Sequence, residues 1–519
     1  MRVPLPPFTR IERVAMVVSV GILLAMTLSI REYLTDDTFI HLQYARHLAG
    51  GHGLVFNLGE RVYGCTSPLW VALLADGMAL GLDGVLWAKV LGLVAAIASL
   101  GWFLQLMRRT VATPAVRAAA TVGWAGHAWM ARWAISGMET PLAVALVLAG
   151  FVAFTEGRSW GARPVRTGSL WALAALTRPE AMLLVFLWAV CLLIETEDRF
   201  GLRRLIAGLL PPLVIVGGWL PFARLYFGSF WPQTLAAKSV GTSTLAVQLD
   251  NAWRQVKLIG ATDGVLVLLL AMGLVVARVR RGPGLGSAYR WLPWAWVVAL
   301  PSFYVSRGVE ALSRYVLLVL PILAWLAWRM AERWWTRSAS GETSERASHA
   351  GMLAATVTVL VLAQNLLVFQ KSVVPHVRSF SPGLRQSLIR WGQWFDRNTA
   401  ANAVIATPDI GAIGYFSRRS VVDLAGLVTP AMVPLLARET SEEAVATFGF
   451  AAFSRPDYLV DRGPTPYGLR SASRFGAALV PLGYTPMPKL GIATGGPTTY
   501  SFYRVDWAAF DSLRARPAR

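Results

Sequence analysis

Two adjacent carboxylates, Asp36 and Asp37, are the residues of this chain best suited to do chemistry. They follow the first long apolar segment, which ends near Ile30. A carboxylate pair beside a membrane loses hydration and suffers like-charge repulsion, so its presence there favours a catalytic or metal-binding role. Asp is also a common N-cap residue, and a solvated helix start is the structural alternative.

The residues after the acidic pair predict a helix from Asp37 to Leu48. Ile40, Tyr44 and Leu48 recur at every fourth position, which predicts a stripe against the membrane surface or the helix bundle. His41 follows Asp37 by one helical turn, so the two side chains can share a site. A solvated surface histidine is the alternative for His41.

A second set of polar residues lies at the predicted outer ends of later spans. Ionisable groups near a span are costly and tend to line a cavity. Cations there suit a lipid-linked phosphate, while a carboxylate can remove a proton from an acceptor hydroxyl. Interfacial snorkelling is the alternative for the cations, and neutralisation of a nearby arginine or capping of a span for the glutamates. The predicted phosphate-binding residues are Arg178, Lys238 and Arg314, and the predicted substrate-binding residues are His41, Tyr44, Glu139, Glu180 and Tyr315.

The composition indicates a polytopic α-helical membrane protein. Of its 519 residues, 55% are hydrophobic and 15% charged, and the mean hydropathy is +0.49. A span needs about 20 apolar residues, and an apolar segment at 68–82 is short enough to be interfacial or re-entrant. About eleven spans are predicted, near 11–30, 85–107, 112–131, 138–155, 168–178, 180–194, 204–222, 263–279, 289–305, 311–330 and 350–370.

The arginines predict the orientation in the membrane, because they concentrate in one set of alternate loops. This bias places the N-terminus in the cytoplasm and, with an odd number of spans, the C-terminus outside. We therefore expect a multi-pass membrane protein whose first segment is a retained signal anchor. The net charge of +20 is explained largely by these loops, which argues against nucleic-acid binding.

The hydropathy pattern divides the chain into a transmembrane domain, 1–370, and a soluble extracytoplasmic domain, 371–519. The first outer loop, 31–67, carries the acidic pair. The polar stretch 338–349 predicts a flexible cytoplasmic loop. In the outer domain, an amphipathic helix is predicted at 384–395 and short strands at 403–407, 420–424 and 458–460, which together indicate a mixed α/β fold. This domain is expected to cover the active site, to hold an acceptor glycan or only to pack.

Several motifs resemble, in order along the chain, those of bacterial family-C (GT-C fold) glycosyltransferases that use polyprenyl-phosphate sugars. The likeness is greatest to the terminal arabinofuranosyltransferases of cell-wall arabinan synthesis. The motifs include Asp36-Asp37-Thr38-Phe39-Ile40, Gly51-His52-Gly53-Leu54-Val55-Phe56-Asn57, Ser136-Gly137-Met138-Glu139-Thr140-Pro141, Thr177-Arg178-Pro179-Glu180, Pro232-Gln233-Thr234 with Lys238, Arg314-Tyr315, and Asp409-Ile410-Gly411-Ala412-Ile413-Gly414.

The resemblance implies a GT-C bundle with a catalytic acidic residue in the first outer loop. Asp36 would be the general base, and Asp37 would support it or bind the acceptor. The implied cofactor is open between none and a divalent cation, Mg²⁺ or Mn²⁺, because relatives that transfer oligosaccharides use Asp-bound ions and others need none.

The leading hypothesis is an inverting glycosyltransferase that moves arabinofuranose or another pentose or hexose. The donor is a polyprenyl-phosphate sugar, and the acceptor is a cell-envelope glycan, lipid or protein outside the membrane. A transporter or flippase of lipid-linked saccharides is one rival, but clustering of charges at one face favours chemistry at an interface. A glycan-binding membrane scaffold is another rival, and it predicts that Asp36 can be replaced without loss of function.

Overall fold

The computed structural model describes residues 6–157, 160–195, 201–234, 244–279, 287–338, 343–488, 490–492 and 496–516. Contacts divide the chain into two compact units. The helical unit comprises Met1–Arg31, Lys89–Trp219 and Ser243–Val373. The mixed unit comprises Glu32–Ala88, Leu220–Thr242 and Val374–Arg519, so the segment with the acidic pair packs together with the C-terminal residues.

Apolar helices dominate the helical unit. Five helices of the described residues are long and apolar enough to cross a membrane: Arg10–Leu28, Gly84–Thr110, Gly201–Phe227, Leu245–Val276 and Ser344–Asn398. The helices with residues in this unit are Arg10–Leu28, Gly84–Thr110, Pro114–Ala125, Ala128–Ala134, Thr140–Phe154, Pro164–Thr177, Met182–Ile194, Gly201–Phe227, Leu245–Val279, Leu292–Ser306, Ser313–Val316, Leu320–Ser338 and Thr343–Val368.

Two predicted spans are broken in the structure. The segment 112–131 forms two helices because the first ends at Gly126 and the ring of His127 accepts a hydrogen bond from the Met130 amide, which caps the second. The segment 311–330 is likewise interrupted before Pro321, which lacks the amide that a continuous helix needs. The predicted loop 338–349 is also wrong from Thr343 onward, where a helix begins.

Buried polar pairs tie helices of this unit together. The Glu12 carboxylate lies 3.1 Å from Arg117 Nε and 3.5 Å from Arg108 Nε. His127 Nε2 lies 3.0 Å from Asp263 Oδ2, and both side chains are buried. Breaking such a pair strands a charge away from water, so these contacts fix which helices are neighbours.

A five-stranded sheet forms the centre of the C-terminal part of the mixed unit, in the order β2-β1-β3-β5-β4. β1 pairs in parallel with β2 and β3, whereas β5 pairs antiparallel with β3 and β4. A core of buried side chains that includes Leu424, Phe448, Leu459 and Phe510 covers it. The strands are β1 (Val404–Thr407), β2 (Ser420–Asp423), β3 (Tyr458–Gly463), β4 (Leu479–Met487) and β5 (Thr498–Val505).

Helices complete the mixed unit and confirm its predicted α/β character. The predicted helix at 384–395 and the three predicted strands are present, whereas β4 and β5 were not predicted. Helices of this unit include Asp36–Ala49, Pro68–Ala79, Val374–Leu384, Arg390–Asn398, Gly411–Ser417, Val433–Leu436, Ser441–Ala446, Gly468–Ala472 and Trp507–Arg514, with a π turn at Arg385–Ile389.

The helix Asp36–Ala49, here called the loop helix, packs inside the mixed unit. Its Phe39 ring lies 5.1 Å from the ring of Phe416 in the helix Gly411–Ser417, here called the capping helix. Leu48 of the predicted apolar stripe is 37% exposed, and the contact of the stripe with the membrane surface or the helix bundle stays a prediction. Phe39 and Leu42, which lie off that stripe, are fully buried because the capping helix and the helix Pro68–Ala79 cover their side.

Candidate functional site

The Asp36 carboxylate is fixed by the backbone of the capping helix. Its Oδ2 accepts a hydrogen bond from the Gly411 amide and its Oδ1 from the Ala412 amide, both at 2.8 Å. These amides belong to the first turn, where helical amides lack partners and attract anions. Because each carboxylate oxygen can accept more than one hydrogen bond, Asp36 keeps the capacity to accept a proton from a substrate hydroxyl.

A glycine at position 411 makes this contact possible. A Cβ atom there would overlap the backbone carbonyl oxygen of Asp36 and lie 2.8 Å from its Oδ2. Only a residue without a side chain lets the two segments approach this closely. Gly411 therefore positions Asp36, although it contributes no functional group.

Asp409 supplies a second carboxylate beside Asp36. Both of its oxygens accept hydrogen bonds from Arg462 Nη1, at 3.0 and 2.9 Å, and Oδ2 also accepts from the Tyr500 hydroxyl at 2.8 Å. Arg462 lies on β3 and Tyr500 on β5, so two neighbouring strands of the sheet fix the Asp409 carboxylate. The two carboxylates thus have different partners, backbone amides for one and a guanidinium with a phenol for the other.

The environment of Asp36 raises its pKa to about 7. Burial of the carboxyl group is the largest cause, although the residue as a whole keeps some exposure, and the negative charge of Asp409 is the next. The amides of Ala412 and Gly411 act in the opposite direction, and Asp37 adds a smaller repulsion. A carboxylate with a pKa near neutrality is a stronger base than an ordinary one and is still ionised above that pH.

The other predicted residues near the acidic pair lie on the same helix. Asp37 is half-buried and His41 is buried. The Tyr44 hydroxyl is buried as well, where it donates to the Val62 carbonyl at 3.1 Å and accepts from the Gly64 amide at 3.2 Å. Tyr44 therefore fixes the loop that follows the helix, and the substrate roles of His41 and Tyr44 stay predictions.

In the helical unit, Arg178 binds both predicted glutamates. Its Nη1 donates to Glu139 Oε1 at 2.7 Å and to Thr140 Oγ1 at 3.1 Å, while Nε donates to Glu180 Oε1 at 3.0 Å. The Tyr304 hydroxyl also donates to Glu180 Oε1. Two carboxylates thus surround one buried guanidinium, which is the neutralising arrangement that the sequence left open for the glutamates.

Aromatic rings extend this cluster to Arg314. The guanidinium carbons of Arg178 and Arg314 both lie 5.3 Å from the ring centre of Tyr315, and Arg314 also faces Trp133 at 5.8 Å. Cation–π contacts of this kind stabilise an arginine side chain. Lys238 lies outside the described residues, so its predicted role stays a prediction.

The sequence missed Asp409 and Gly411 as site residues, although both lie in a motif that resembled the family. The available signal was the Asp409-Ile-Gly411 spacing directly after a predicted strand. Within the described ranges, no group of three or more His, Cys, Asp or Glu side chains could hold a metal ion.

Comparisons with known proteins identify a family model and two sequence relatives that match parts of this chain. A family described as a domain of unknown function, DUF8728, matches residues 379–503. The terminal β-(1→2)-arabinofuranosyltransferase of Mycobacterium tuberculosis is 30% identical over 276 residues, which are 49% of this chain and 42% of that protein. The enzyme of the same name from Corynebacterium glutamicum is 26% identical over 371 residues, 62% of this chain and 51% of that protein. The chain thus spans about half the length of these relatives.

Among solved structures, ArnT from Cupriavidus metallidurans bound to undecaprenyl phosphate is similar in fold. The superposition has a TM-score of 0.54 at 15% sequence identity and covers 95% of this chain and 97% of ArnT. The chain therefore has the GT-C fold, with several membrane helices and a C-terminal domain built on a small mixed sheet. The fold class predicted from sequence is confirmed.

Replacing Gly411 by Ala is expected to destabilise the mixed unit. The added methyl group must displace the Asp36 backbone, and overpacking of this kind costs about 1–3 kcal/mol. Thermal unfolding of the purified protein in detergent measures the loss. Gly496→Ala is the control, because no atom of the described residues lies within 4 Å of the Cβ position at Gly496. Equal melting temperatures for both variants would contradict the close approach at Gly411.

Replacing Arg178 by Ala is expected to destabilise the helical unit by about 3–5 kcal/mol, because it leaves two carboxylates in a buried site without their cation. Adding Glu139→Gln should recover part of the loss. Arg166→Ala removes an exposed partner of Glu156 and should cost no more than about 1 kcal/mol. The free energy of unfolding is measured in mixed detergent micelles for Arg178→Ala, for the double variant and for Arg166→Ala. Equal losses of stability for Arg178→Ala and Arg166→Ala would contradict the stabilising role of the buried Arg178 cluster.

Proposed function

We propose that this multi-pass membrane protein is an inverting glycosyltransferase that moves a sugar from a polyprenyl-phosphate donor to the cell envelope. The GT-C fold supports this class, since the ArnT structure of the same fold binds undecaprenyl phosphate. The arabinofuranosyltransferase relatives support arabinofuranose as the first sugar to test, ahead of other pentoses and hexoses. The proposed acceptor is a glycan, lipid or protein outside the bacterial inner membrane, with the N-terminus of the chain in the cytoplasm.

The carboxylate of Asp36, held by two backbone amides, carries the proposal. As the acceptor hydroxyl attacks the anomeric carbon, its proton passes to Asp36, the new glycosidic bond forms and the bond to the phosphate oxygen breaks. The polyprenyl phosphate leaves with the bonding electron pair, and attack opposite to the leaving group inverts the anomeric centre. The two amides orient the carboxylate in advance, so no reorganisation is needed at the moment of transfer.

Cations are proposed to bind the donor phosphate and to stabilise its charge as it leaves. The candidates are Arg178, Lys238 and Arg314. Arg178 binds two carboxylates and lies over the Tyr315 ring, so we give it the role of ordering Tyr315, beside which Arg314 is proposed to contact the phosphate.

Replacing Asp36 by Asn is expected to lower turnover by about 10²–10⁴-fold, the usual contribution of a general base. Asn has one carbonyl oxygen and can keep one of the two amide hydrogen bonds, so donor binding should persist. The assay measures sugar release from synthetic polyprenyl-phosphate arabinofuranose, with mannose and related donors in parallel. Each reaction is run with EDTA and with added Mg²⁺ or Mn²⁺, which tests the need for a divalent cation.

Asp423→Asn is the matched control for this experiment. The Asp423 carboxylate is also buried and accepts hydrogen bonds from two amides, those of Ala425 and Val428, at 2.8 and 2.9 Å. It should lose stability but keep turnover per folded molecule. If Asp36→Asn and wild type turn over equally, Asp36 is not the base. If the wild type releases sugar from none of the donors, the transfer proposal itself fails.

The pH dependence of turnover should report the Asp36 pKa of about 7. The base acts when deprotonated, so kcat/KM should fall as the pH drops below about 7 and level off above it. Asp409→Asn should shift this limb to lower pH, because it removes a neighbouring negative charge and leaves Arg462 without its carboxylate. The measurement is kcat/KM from pH 5 to pH 9 for both proteins.

Asp511→Asn provides the control for the pH experiment. Asp511 also binds an arginine, Arg455, through two hydrogen bonds of 2.9 Å, but it lies on the helix Trp507–Arg514 and is not among the groups that shift the pKa of Asp36. The acidic limb of this variant should match the wild type. A limb that stays in place in Asp409→Asn would exclude Asp36 as the titrating base.

A further inference from the structure

A basic cavity lies at the C-terminal end of the loop helix, within the mixed unit. Its volume is about 390 Å³. Five of its lining residues are Arg46, His47, His52, Arg418 and Arg419, and no Asp or Glu is among the described residues that line it. These five residues define the basic pocket, which lies at the opposite end of the loop helix from Asp36.

The arginines of the basic pocket are unequally neutralised. Arg419 lies 3.4 Å from Asp396 Oδ1 and also donates to backbone carbonyl groups. Arg46 donates to a neutral acceptor, the Tyr415 carbonyl oxygen, at 2.8 Å. Arg418 is exposed, and no described carboxylate lies within 4.0 Å of the guanidinium of Arg46 or Arg418. Two positive charges therefore face one cavity without an ion-pair partner in the described part of the chain.

The backbone at Arg418 is unusual for a residue with a side chain. Its φ of 54° places it in the left-handed region, which is costly for residues other than Gly, Asn and Asp. Its charge also lowers the pKa of Arg46, after the larger effect of burial. A cation at a helix C-terminus is favourable by itself and explains either arginine alone. This helix-terminus effect does not explain why the loop helix and the capping helix both end at the same open, positively charged cavity.

We propose that the basic pocket binds the phosphate group of a phosphorylated saccharide. Guanidinium groups bind phosphate through paired, charge-assisted hydrogen bonds, and an anion between Arg46 and Arg418 would relieve their repulsion. The cavity falls in the size range of small-molecule sites, which leaves room for a sugar attached to the phosphate. Ser420 and His52 line the same cavity and carry a hydroxyl and an imidazole that can hydrogen-bond to sugar hydroxyls, whereas the amides of Gln43 and Asn57 are bound to other groups of the protein. This site goes beyond the transfer reaction and does not depend on it.

Binding of glucose 6-phosphate to the purified full chain in detergent tests the site. Isothermal titration calorimetry should give saturable binding of glucose 6-phosphate and none of glucose. Inorganic phosphate is the parallel probe: weaker binding than the ester shows that the sugar is recognised, and equal or tighter binding overturns the saccharide part of the proposal. Arg418→Gln should weaken glucose 6-phosphate binding about tenfold, as expected for loss of a charge-assisted contact.

Arg438→Gln is the matched control, because Arg438 is an equally exposed arginine of the same unit and does not line the cavity. It should bind glucose 6-phosphate as the wild type does. Gln occupies the left-handed region no more easily than Arg, so neither variant adds strain, and thermal unfolding checks that both are folded. Absence of saturable binding to the wild type, or equal weakening in the two variants, overturns the proposal. Because the readout is binding, it stands apart from any failure of the transferase assay.

Discussion

Two hydrogen bonds to one carboxylate connect parts of the chain that are 375 and 376 residues apart. The amides of Gly411 and Ala412 are in place only because β1 ends at Thr407 and the capping helix begins four residues later. The geometry of Asp36 therefore depends on the folding of the C-terminal sheet. A domain that hydropathy separates from the membrane region is, in this protein, what positions the acidic residue that follows the first apolar helix.

The same contact resolves an electrostatic conflict. Asp36 and Asp409 lie close enough to repel each other, and burial makes ionisation of Asp36 more costly still. Their partners differ, because Asp409 accepts hydrogen bonds from Arg462 and Tyr500, whereas the described partners of Asp36 are two neutral amides. Without a cation beside it among these partners, buried Asp36 keeps a pKa of about 7, which suits a base.

Local sequence patterns predicted many of the helices and strands. Of the contact between Asp36 and the capping helix, they predicted only Asp36. Strands β1 and β2 were predicted because short β-branched runs lie between turn residues, whereas β4 carries Pro481 and Pro486, which are tolerated because it is an edge strand. β5 was missed although Thr498–Val505 has a strong β composition. Asp36 was found by its residue type and its place after a span. The Asp409-Ile-Gly411 spacing marked a motif after β1, but its contact with Asp36 was missed because no local pattern encodes a contact between residues 375 positions apart.

Arginine has three different physical roles here, and the net charge of +20 does not distinguish them. In cytoplasmic loops it would set the orientation in the membrane. At Arg178 it is balanced by Glu139 and Glu180, so this buried site has no excess positive charge. At Arg46 and Arg418, which face a cavity, no carboxylate of the described residues forms an ion pair with the guanidinium. Such an arrangement attracts an anion from solution, because its field is not neutralised by the described part of the protein.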